Sequence, residues 1–188
     1  MNTTTPLKPR VIFLNGPKQS GKDTIGEILA ERCKHIHLLK FAQPLIGGMQ
    51  AVFGVSCADG KDKEEPTPDL MGFSRRQIAI DLSENWFKEK FGQEVFGEIA
   101  LNKLQRIHPS KTIVFTDSGF LCEAQPILRL FMPKTTDIVK LSRPGHDFEG
   151  DSRSYWADDR TIRRRIFNDG TIDDLELQVE SLLETWSL

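Results

Sequence analysis

A chain of 188 residues is long enough to bury the core of one domain, and a hydrophobic content of 38% is typical of a globular protein. The net charge of −2 argues against indiscriminate nucleic-acid binding but does not exclude a local basic groove. Three widely spaced cysteines suggest neither a disulfide framework nor a zinc site, which indicates a reducing, cytoplasmic location. No apolar run approaches the roughly 18 residues of a membrane span.

The chain alternates apolar runs with helical patterns, which predicts strands and helices in turn. A polar stretch at 57–72, rich in proline and glycine, predicts a loop. Trp86 lies on the apolar face of a predicted helix and is expected in the core. The predicted elements, in chain order, are strand 10–15, helix 21–34, strand 35–42, helix 43–54, helix 74–91, helix 93–107, strand 111–117, helix 122–131, strand 136–142, strand 163–168 and helix 169–186.

This order of elements predicts an α/β fold. Strands that alternate with helices form a parallel sheet covered by helices on both faces, here a three-layer sandwich with five parallel strands. Parallel sheets bind ligands beyond the carboxyl ends of their strands. That rule nominates four segments as parts of one site, namely 16–24, 42–48, 117–120 and 143–155.

The turn from Gly16 to Lys22, "GPKQSGK", has the glycine and lysine spacing of a phosphate-binding loop. Glycines let successive backbone N–H groups point inward as an anion nest, and the helix that starts near Gly21 adds the positive end of its dipole. Lys22 is the residue expected to neutralise the β- and γ-phosphates, with Lys18 and Ser20 in the same loop. The turn therefore predicts a site for a nucleoside triphosphate.

Asp23 follows Lys22 where the usual pattern has Ser or Thr, and the hydroxyl comes one place later, at Thr24. Because a hydroxyl at this point of the loop ligates Mg²⁺, Thr24 is the predicted metal ligand. Asp23 either contacts the metal through water or caps the start of the helix, where an acidic residue is favoured.

The loop "GPKQSGKDT" resembles the GxKxSGKDT loop of the bacteriophage deoxynucleoside monophosphate kinases, and other motifs follow in the same order. "LLKFAQPL" is similar to their second strand and Phe-Ala-x-Pro-Leu turn, and "RRQIAI" to the start of their Arg-Arg helix. "VFTDSGFLCEAQPI" resembles their third strand, aspartate and Glu-Ala helix, and "RPG…FNDGTIDDL" their lid and Asn-Asp-Gly turn. The resemblance implies a P-loop kinase that uses ATP and Mg²⁺.

The resemblance also implies an organisation for the chain. We expect a single domain over 1–188, with a phosphate-binding half at 9–54, a helical acceptor-side insertion at 55–107 and a lid-like loop at 143–161. If the chain is encoded by a phage, its location is the host cytoplasm.

Several further residues acquire roles from the same resemblance. Arg75 and Arg76 either clamp the acceptor or are solvated surface charges, and Phe41 is expected at the acceptor side. Lid arginines offset charge on a transferring phosphoryl group, which assigns Arg143 to the cofactor and Arg153 to catalysis. Asn168 lies near the expected adenine site, or caps the last helix.

The segment Asp117-Ser118-Gly119-Phe120 departs from the resembled kinases, which carry Asp-x-Arg-Phe here. An arginine suits the phosphate of an incoming nucleotide because its planar fork binds such oxygens in pairs. Its replacement by Gly119 favours a neutral alcohol as the acceptor, with Asp117 orienting or deprotonating the hydroxyl. Ser118 is then a candidate hydrogen-bond partner of the substrate, and Asp117 a second candidate metal ligand.

One related phage group fits this change. The 5-hydroxymethyluridine DNA kinases resemble nucleotide kinases but phosphorylate the hydroxymethyl group of a modified base in phage DNA, a step in thymidine hypermodification. "DSGF" and "FEGDSRSY" are closer to that group. The partners expected are therefore ATP and hydroxymethylated phage DNA, or a free deoxynucleotide if Arg75, Arg76 or Arg153 replaces the missing arginine. A non-catalytic nucleotide-binding module is the third interpretation.

Aromatic and basic residues near the lid leave two further alternatives open. Tyr155 and Trp156 either stack on an unpaired base or anchor the loop. The basic cluster that includes Arg160 and Arg163–Arg165 either follows a DNA backbone or balances nearby acidic residues.

Overall fold

The computed structural model describes residues 9–54, 61–131, 135–157 and 162–188 of the chain. Residues 55–60 of the predicted insertion and 158–161 of the predicted lid, Arg160 among them, lie outside the described residues. One five-stranded sheet has the strand order β2-β3-β1-β4-β5, and every pair is parallel. The strands are β1 (Arg10–Asn15), β2 (Ile36–Leu39), β3 (Thr112–Phe115), β4 (Thr136–Ser142) and β5 (Ile162–Phe167).

Helices cover both faces of this sheet. They are α1 (Lys22–Arg32), α2 (Gln43–Phe53), α3 (Arg75–Ile80), α4 (Val95–Leu104), α5 (Leu121–Phe131) and α6 (Ile172–Trp186). Helix α3 continues into a π-helical stretch, Asp81–Lys88, which we call the π segment, and a last turn at Glu89–Phe91. The predicted α/β sandwich with five parallel strands is therefore confirmed. None of the helices in the described ranges has the length and apolar character needed to cross a membrane.

The core lies in two layers because side chains alternate between the faces of each strand. One face of β1 packs with α2, α4 and α5, and the other packs with α1 and α6. Each fully buried Leu, Ile or Phe side chain contributes about 1.5–3 kcal/mol by leaving water. The buried strand residues on the first face are Val11, Phe13, Leu39, Ile113, Phe115 and Ile138, and those on the second are Ile12, Leu14, Ile36, Val114, Val139, Leu141 and Ile166.

The prediction that Trp86 is a core residue is wrong. Its side chain is 47% exposed and packs edge-on against Phe87, with ring centroids 4.6 Å apart. The physical reason is the π segment, because i→i+5 hydrogen bonding turns side chains out of the 3.6-residue period on which the prediction rested. The same stretch buries Lys88, so a helical wheel misplaces both residues.

A buried amide joins the end of β1 to two other segments. Asn15 is fully buried, and its Nδ2 donates to the Ser118 carbonyl oxygen at 2.9 Å. Its Oδ1 accepts a hydrogen bond from the backbone N–H of Trp156 at 3.0 Å. Trp156 is itself buried against Phe13, which settles the alternative left open for this residue in favour of loop anchoring.

We predict that Asn15→Ala lowers the free energy of unfolding by about 3 kcal/mol, because a buried carbonyl and a buried N–H lose their partner. Chemical denaturation followed by circular dichroism measures this loss. The exposed Asn102 on α4 supplies the control, since Asn102→Ala should change the free energy of unfolding by less than about 0.5 kcal/mol. Equal midpoints for the Asn15 variant and the wild type would contradict the prediction.

Candidate active site

The turn between β1 and α1 needs glycine at two positions. A Cβ atom at Gly16 would lie 2.8 Å from the Leu141 carbonyl oxygen and 2.7 Å from Ser20 Oγ, so any side chain would push the loop off β4. Gly21 has a φ of +100° and is the residue that caps α1, a conformation that other residues adopt only with strain. The two glycines therefore keep the backbone of the turn close to the start of α1. An anion nest requires such a close approach of the backbone.

Lys22 is folded into this turn. Its Nζ donates to the carbonyl oxygens of Gly16 and Pro17, at 2.7 and 2.5 Å. Burial, with the charge of Arg153 as the next cause, lowers the pKa of Lys22 to about 8. An ammonium group so poorly solvated gains most from an anion that reaches it, which is the property expected of a phosphate-binding lysine.

Two of the predicted cofactor residues brace the loop from outside. Arg143, directly after β4, donates from Nη1 to the Gln19 carbonyl oxygen at 3.1 Å. Asn168, directly after β5, donates from Nδ2 to the Ser20 carbonyl oxygen at 3.0 Å. Asn168 does not cap the last helix, because Thr171 forms that cap with Asp174.

Asp23 is not a side-chain cap of α1. Gly21 occupies the N-cap position without any side-chain hydrogen bond, and Asp23 in the first turn forms an ion pair with Lys40 at 3.1 Å. An acidic side chain still interacts favourably with the helix dipole at this position. The alternative role of Asp23, contact with a metal through water, stays a prediction.

The residues around the turn fit magnesium bound together with phosphate. Within the described ranges, no group of three or more His, Cys, Asp or Glu residues forms a cage for a metal ion. Magnesium at such sites takes most of its ligands from phosphate oxygens and water, so it needs only one or two protein oxygens. Thr24, in the first turn of α1, supplies a hydroxyl at the place the motif expects.

Asp117 follows β3 and holds two backbone groups. Its Oδ1 and Oδ2 accept hydrogen bonds from the N–H groups of Phe41 and Ala42, each at 2.9 Å. Ala42 is the N-cap of α2, so the carboxylate also fixes the start of that helix. Burial raises the pKa of Asp117, although these two hydrogen bonds and the charge of Lys40 oppose the shift.

Ser118 and Phe41 do not reach the site with their side chains. Ser118 is fully buried, and its Oγ donates to the Phe115 carbonyl oxygen at 3.3 Å. The Phe41 ring is 2% exposed and stacks on Phe115 with centroids 4.4 Å apart. The structure therefore places both side chains in the core. What Phe41 gives the site is its backbone N–H, which orients Asp117.

A cavity of about 460 Å³ opens beside Asp117, and we call it the main cavity. Arg76 and Arg153 line it, whereas Arg75 does not. Arg76 also approaches Glu64, with its Nε 3.5 Å from the carboxylate, and Glu64 pairs with Lys18 of the loop at 2.9 Å. The lining residues are Ala42, Leu45, Arg76, Ala79, Ile80, Ser83, Glu84, Phe96, Asp117, Phe120, Glu123, Asp151, Ser152 and Arg153.

Arg153 occupies the space above Gly119. A Cβ atom built on Gly119 would overlap the Cδ atom of Arg153, so the glycine is what lets this arginine lie here. Asp151 holds the guanidinium in place, with its Oδ1 2.8 Å from Nε of Arg153. Asp151 and Ser152, directly before Arg153, line a second cavity together with Lys18 and Gln19, so the arginine lies near the turn between β1 and α1.

Sequence patterns missed an ion-paired group in the wall of the main cavity. Glu123 on α5 is 7% exposed, and its Oε1 lies 3.2 Å from Nζ of the buried Lys88. A lysine beside Phe87, on a helix with an apolar face, is the signal that marks this pair. The signal is weak because lysines are far more often exposed.

Comparisons with known proteins bear on the fold. The chain matches no protein-family model and no curated protein. Among solved structures, the Mycobacterium tuberculosis APS kinase in complex with AMPPNP and APS is 17% identical, with a TM-score of 0.50 over 95% of this chain and 99% of that chain. At this identity the likeness concerns the fold alone, and it agrees with the α/β sandwich described above.

Two other kinases are similar at the same level. The Aquifex aeolicus shikimate kinase is 17% identical, with a TM-score of 0.49 over 94% of this chain and 98% of that chain. The Candida albicans thymidylate kinase is 16% identical, with a TM-score of 0.48 over 97% of this chain and 94% of that chain.

We predict that the affinity of the turn for a triphosphate falls about tenfold between pH 7 and pH 9. The pKa of Lys22 is about 8, so the side chain is mostly charged below that pH and mostly neutral above it. Calorimetric titration with MgATP at each pH measures the affinity.

Two variants separate Lys22 from its neighbour in that titration. Lys22→Ala should bind weakly at every pH, whereas Lys18→Ala, which alters an exposed lysine, should keep the pH dependence. A wild-type affinity that is constant from pH 7 to pH 9 would contradict the assignment of Lys22.

Proposed function

We propose that this chain transfers the terminal phosphoryl group of ATP to an oxygen of an acceptor bound in the main cavity. The observation that supports this is the position of Asp117. Its carboxylate lines the main cavity and is one of the charges that act on Lys22. A second cavity, lined by Lys18 and Gln19 of the turn, shares Arg76, Asp151 and Ser152 with the main cavity, so the acceptor side borders the turn. Phosphoryl transfer depends on such placement because catalysis is largely positioning and charge stabilisation.

The donor side consists of the turn and its braces. The turn amides and Lys22 bind the β- and γ-phosphates, with Thr24 contributing its hydroxyl to a magnesium ion. Magnesium, when bound, neutralises charge on the β- and γ-phosphate oxygens. Arg143 and Asn168 keep the loop in shape through the carbonyl groups of Gln19 and Ser20.

Asp117 positions the acceptor hydroxyl. The bond between that oxygen and the γ-phosphorus forms, the bond from phosphorus to the β,γ-bridging oxygen breaks, and ADP leaves. The hydroxyl proton passes to the Asp117 carboxylate. Two backbone N–H groups fix this carboxylate, and burial raises its pKa, which makes it a better base than an exposed aspartate.

The acceptor that we favour is the hydroxymethyl group of hydroxymethyluridine in DNA. Apolar residues of the main cavity, such as Leu45 and Phe120, suit a flat pyrimidine ring, and Asp117 suits its alcohol. A base inside a duplex must first be flipped out of the stack, at a cost of a few kcal/mol, so single-stranded substrate is the easier target.

A deoxynucleoside monophosphate is the second candidate acceptor, and the position of Arg153 favours it. The aliphatic part of Arg153 lies where a side chain at residue 119 would lie. The loop after β4 therefore supplies an arginine close to the position at which the resembled kinases carry one and this chain carries Gly119. Such an arginine is suited to an acceptor phosphate. It is equally suited to charge on the γ-phosphoryl group, the role that the first candidate needs.

We predict that Gly119→Ala raises KM for a deoxynucleotide acceptor about tenfold if Arg153 binds the acceptor phosphate, because the new methyl group displaces the arginine stem. Steady-state kinetics with thymidine monophosphate measures the change. Gly48→Ala is the matched control, since no atom lies within 4 Å of a Cβ there. An unchanged KM for Gly119→Ala would remove the second candidate's support.

We predict that Asp117→Asn lowers the rate of transfer 100- to 10,000-fold, the usual contribution of a general base, and changes the MgATP dissociation constant less than threefold. Single-turnover transfer and calorimetry measure the two quantities. The exposed Asp81 provides the control variant, Asp81→Asn, which should behave as wild type. Equal losses of transfer and of MgATP binding would point to a metal-binding or structural role for Asp117.

The acceptor is identified with labelled ATP and three probes. They are a single-stranded oligonucleotide with one hydroxymethyluracil, the same oligonucleotide with thymine, and thymidine monophosphate. Label in the first probe alone supports the DNA acceptor, and label in the third alone supports the nucleotide acceptor. MgATP binding without transfer to any probe would leave a nucleotide-binding module.

A further inference from the structure

We propose that Glu123, held by Lys88, binds an N–H donor on the ring of the acceptor and so selects the acceptor base. This inference rests on the proposed function, because it concerns the same main cavity. It names a group whose role neither the sequence motifs nor the phosphate-binding turn supplies. The chemical class that it selects is a heterocycle with an imide N–H, such as a uracil-type ring.

The ion pair fixes where the carboxylate stands. Nζ of Lys88 lies 3.2 Å from Glu123 Oε1 and 2.7 Å from Glu84 Oε1, and its ammonium lies 4.0 Å from the centre of the Phe120 ring. Glu123, Glu84 and Phe120 line the main cavity, whereas Lys88 does not. Lys88 therefore lies outside the main cavity and holds the Glu123 carboxylate in the cavity wall, where a ligand can contact it.

The backbone around Glu123 is equally fixed. Glu123 lies in the first turn of α5, and Gly97 of α4 packs directly on its carbonyl group. A Cβ atom at Gly97 would overlap that carbonyl oxygen, so the two helices meet as closely as a glycine allows. A side chain that recognises one atom of a ligand needs a fixed backbone, because a displacement of about 1 Å removes most of the gain in binding or catalysis.

The charges favour a hydrogen-bond donor as the ligand. Two carboxylates share one ammonium, so the cluster carries excess negative charge when both are ionised. Burial raises the pKa of Glu123 to about 7 although Lys88 opposes the shift, which means that the lysine does not fully compensate the buried charge. A ligand N–H would supply the missing partner. The charged groups that act on Glu123 are Lys88, Glu84, Asp117 and Arg153.

The test changes one group of the acceptor, its N3–H, and one group of the protein, the Glu123 carboxylate. The probes are a single-stranded oligonucleotide with one hydroxymethyluracil, thymidine monophosphate, and the N3-methyl form of each. In the wild-type chain, we expect N3-methylation to lower kcat/KM for the accepted probe about 10- to 100-fold, mostly through KM. Glu123→Gln should lose a similar factor with the unmethylated probe and show little further loss with the methylated one.

Glu89→Gln is the matched control. This exposed carboxylate lies one position after Lys88 and does not line the main cavity. It should keep the wild-type discrimination against the methylated probe. A wild-type comparison of the two probes needs no variant, so the inference can be tested even if Glu123→Gln folds poorly.

The outcomes separate this inference from the proposed function. Equal kcat/KM for the methylated and unmethylated probes in the wild type would overturn the role of Glu123 alone, as would full discrimination retained by Glu123→Gln. MgATP binding without transfer to either probe would overturn both the acceptor and the role of Glu123. Loss of MgATP binding in correctly folded protein would overturn the proposed function itself.

Discussion

A buried amide at the end of the central strand holds together the segments that form the candidate active site. Asn15 joins the Ser118 carbonyl to the backbone N–H of Trp156, so the turn after β1, the segment after β3 and the loop after β4 share one polar anchor. Lys22, Asp117 and Arg153 each belong to one of these segments. Their relative positions therefore depend on hydrogen bonds whose loss inside the protein is costly.

The sequence predicted the scaffold well because the scaffold follows from short-range patterns. Apolar runs between turn residues located all five strands, and the glycine spacing at 16–21 located the turn before α1. Such features depend on residues that are neighbours along the chain, which a single sequence displays directly.

The misplaced residues depend on backbone geometry or on contacts between distant segments, neither of which a residue pattern displays. Trp86 is exposed although its spacing predicted a core position, because the π segment breaks the helical period. Ser118 looked like a ligand group from its position after Asp117, yet its hydroxyl binds the Phe115 carbonyl. Arg153 lies above Gly119 although 33 residues lie between them in the chain. No local pattern indicates that an arginine from a distant loop fills the space that a side chain at residue 119 would occupy.

The close contact between Gly97 and Glu123 limits how this protein can diverge. The smallest change open to a glycine, gain of one methyl group, would wedge α4 away from α5 and shift the wall of the main cavity. Under the proposed function, such a mutation would alter the choice of acceptor while leaving the turn between β1 and α1 intact. Acceptor preference would then be constrained by how closely two helices approach each other, at a place where no bond is made or broken.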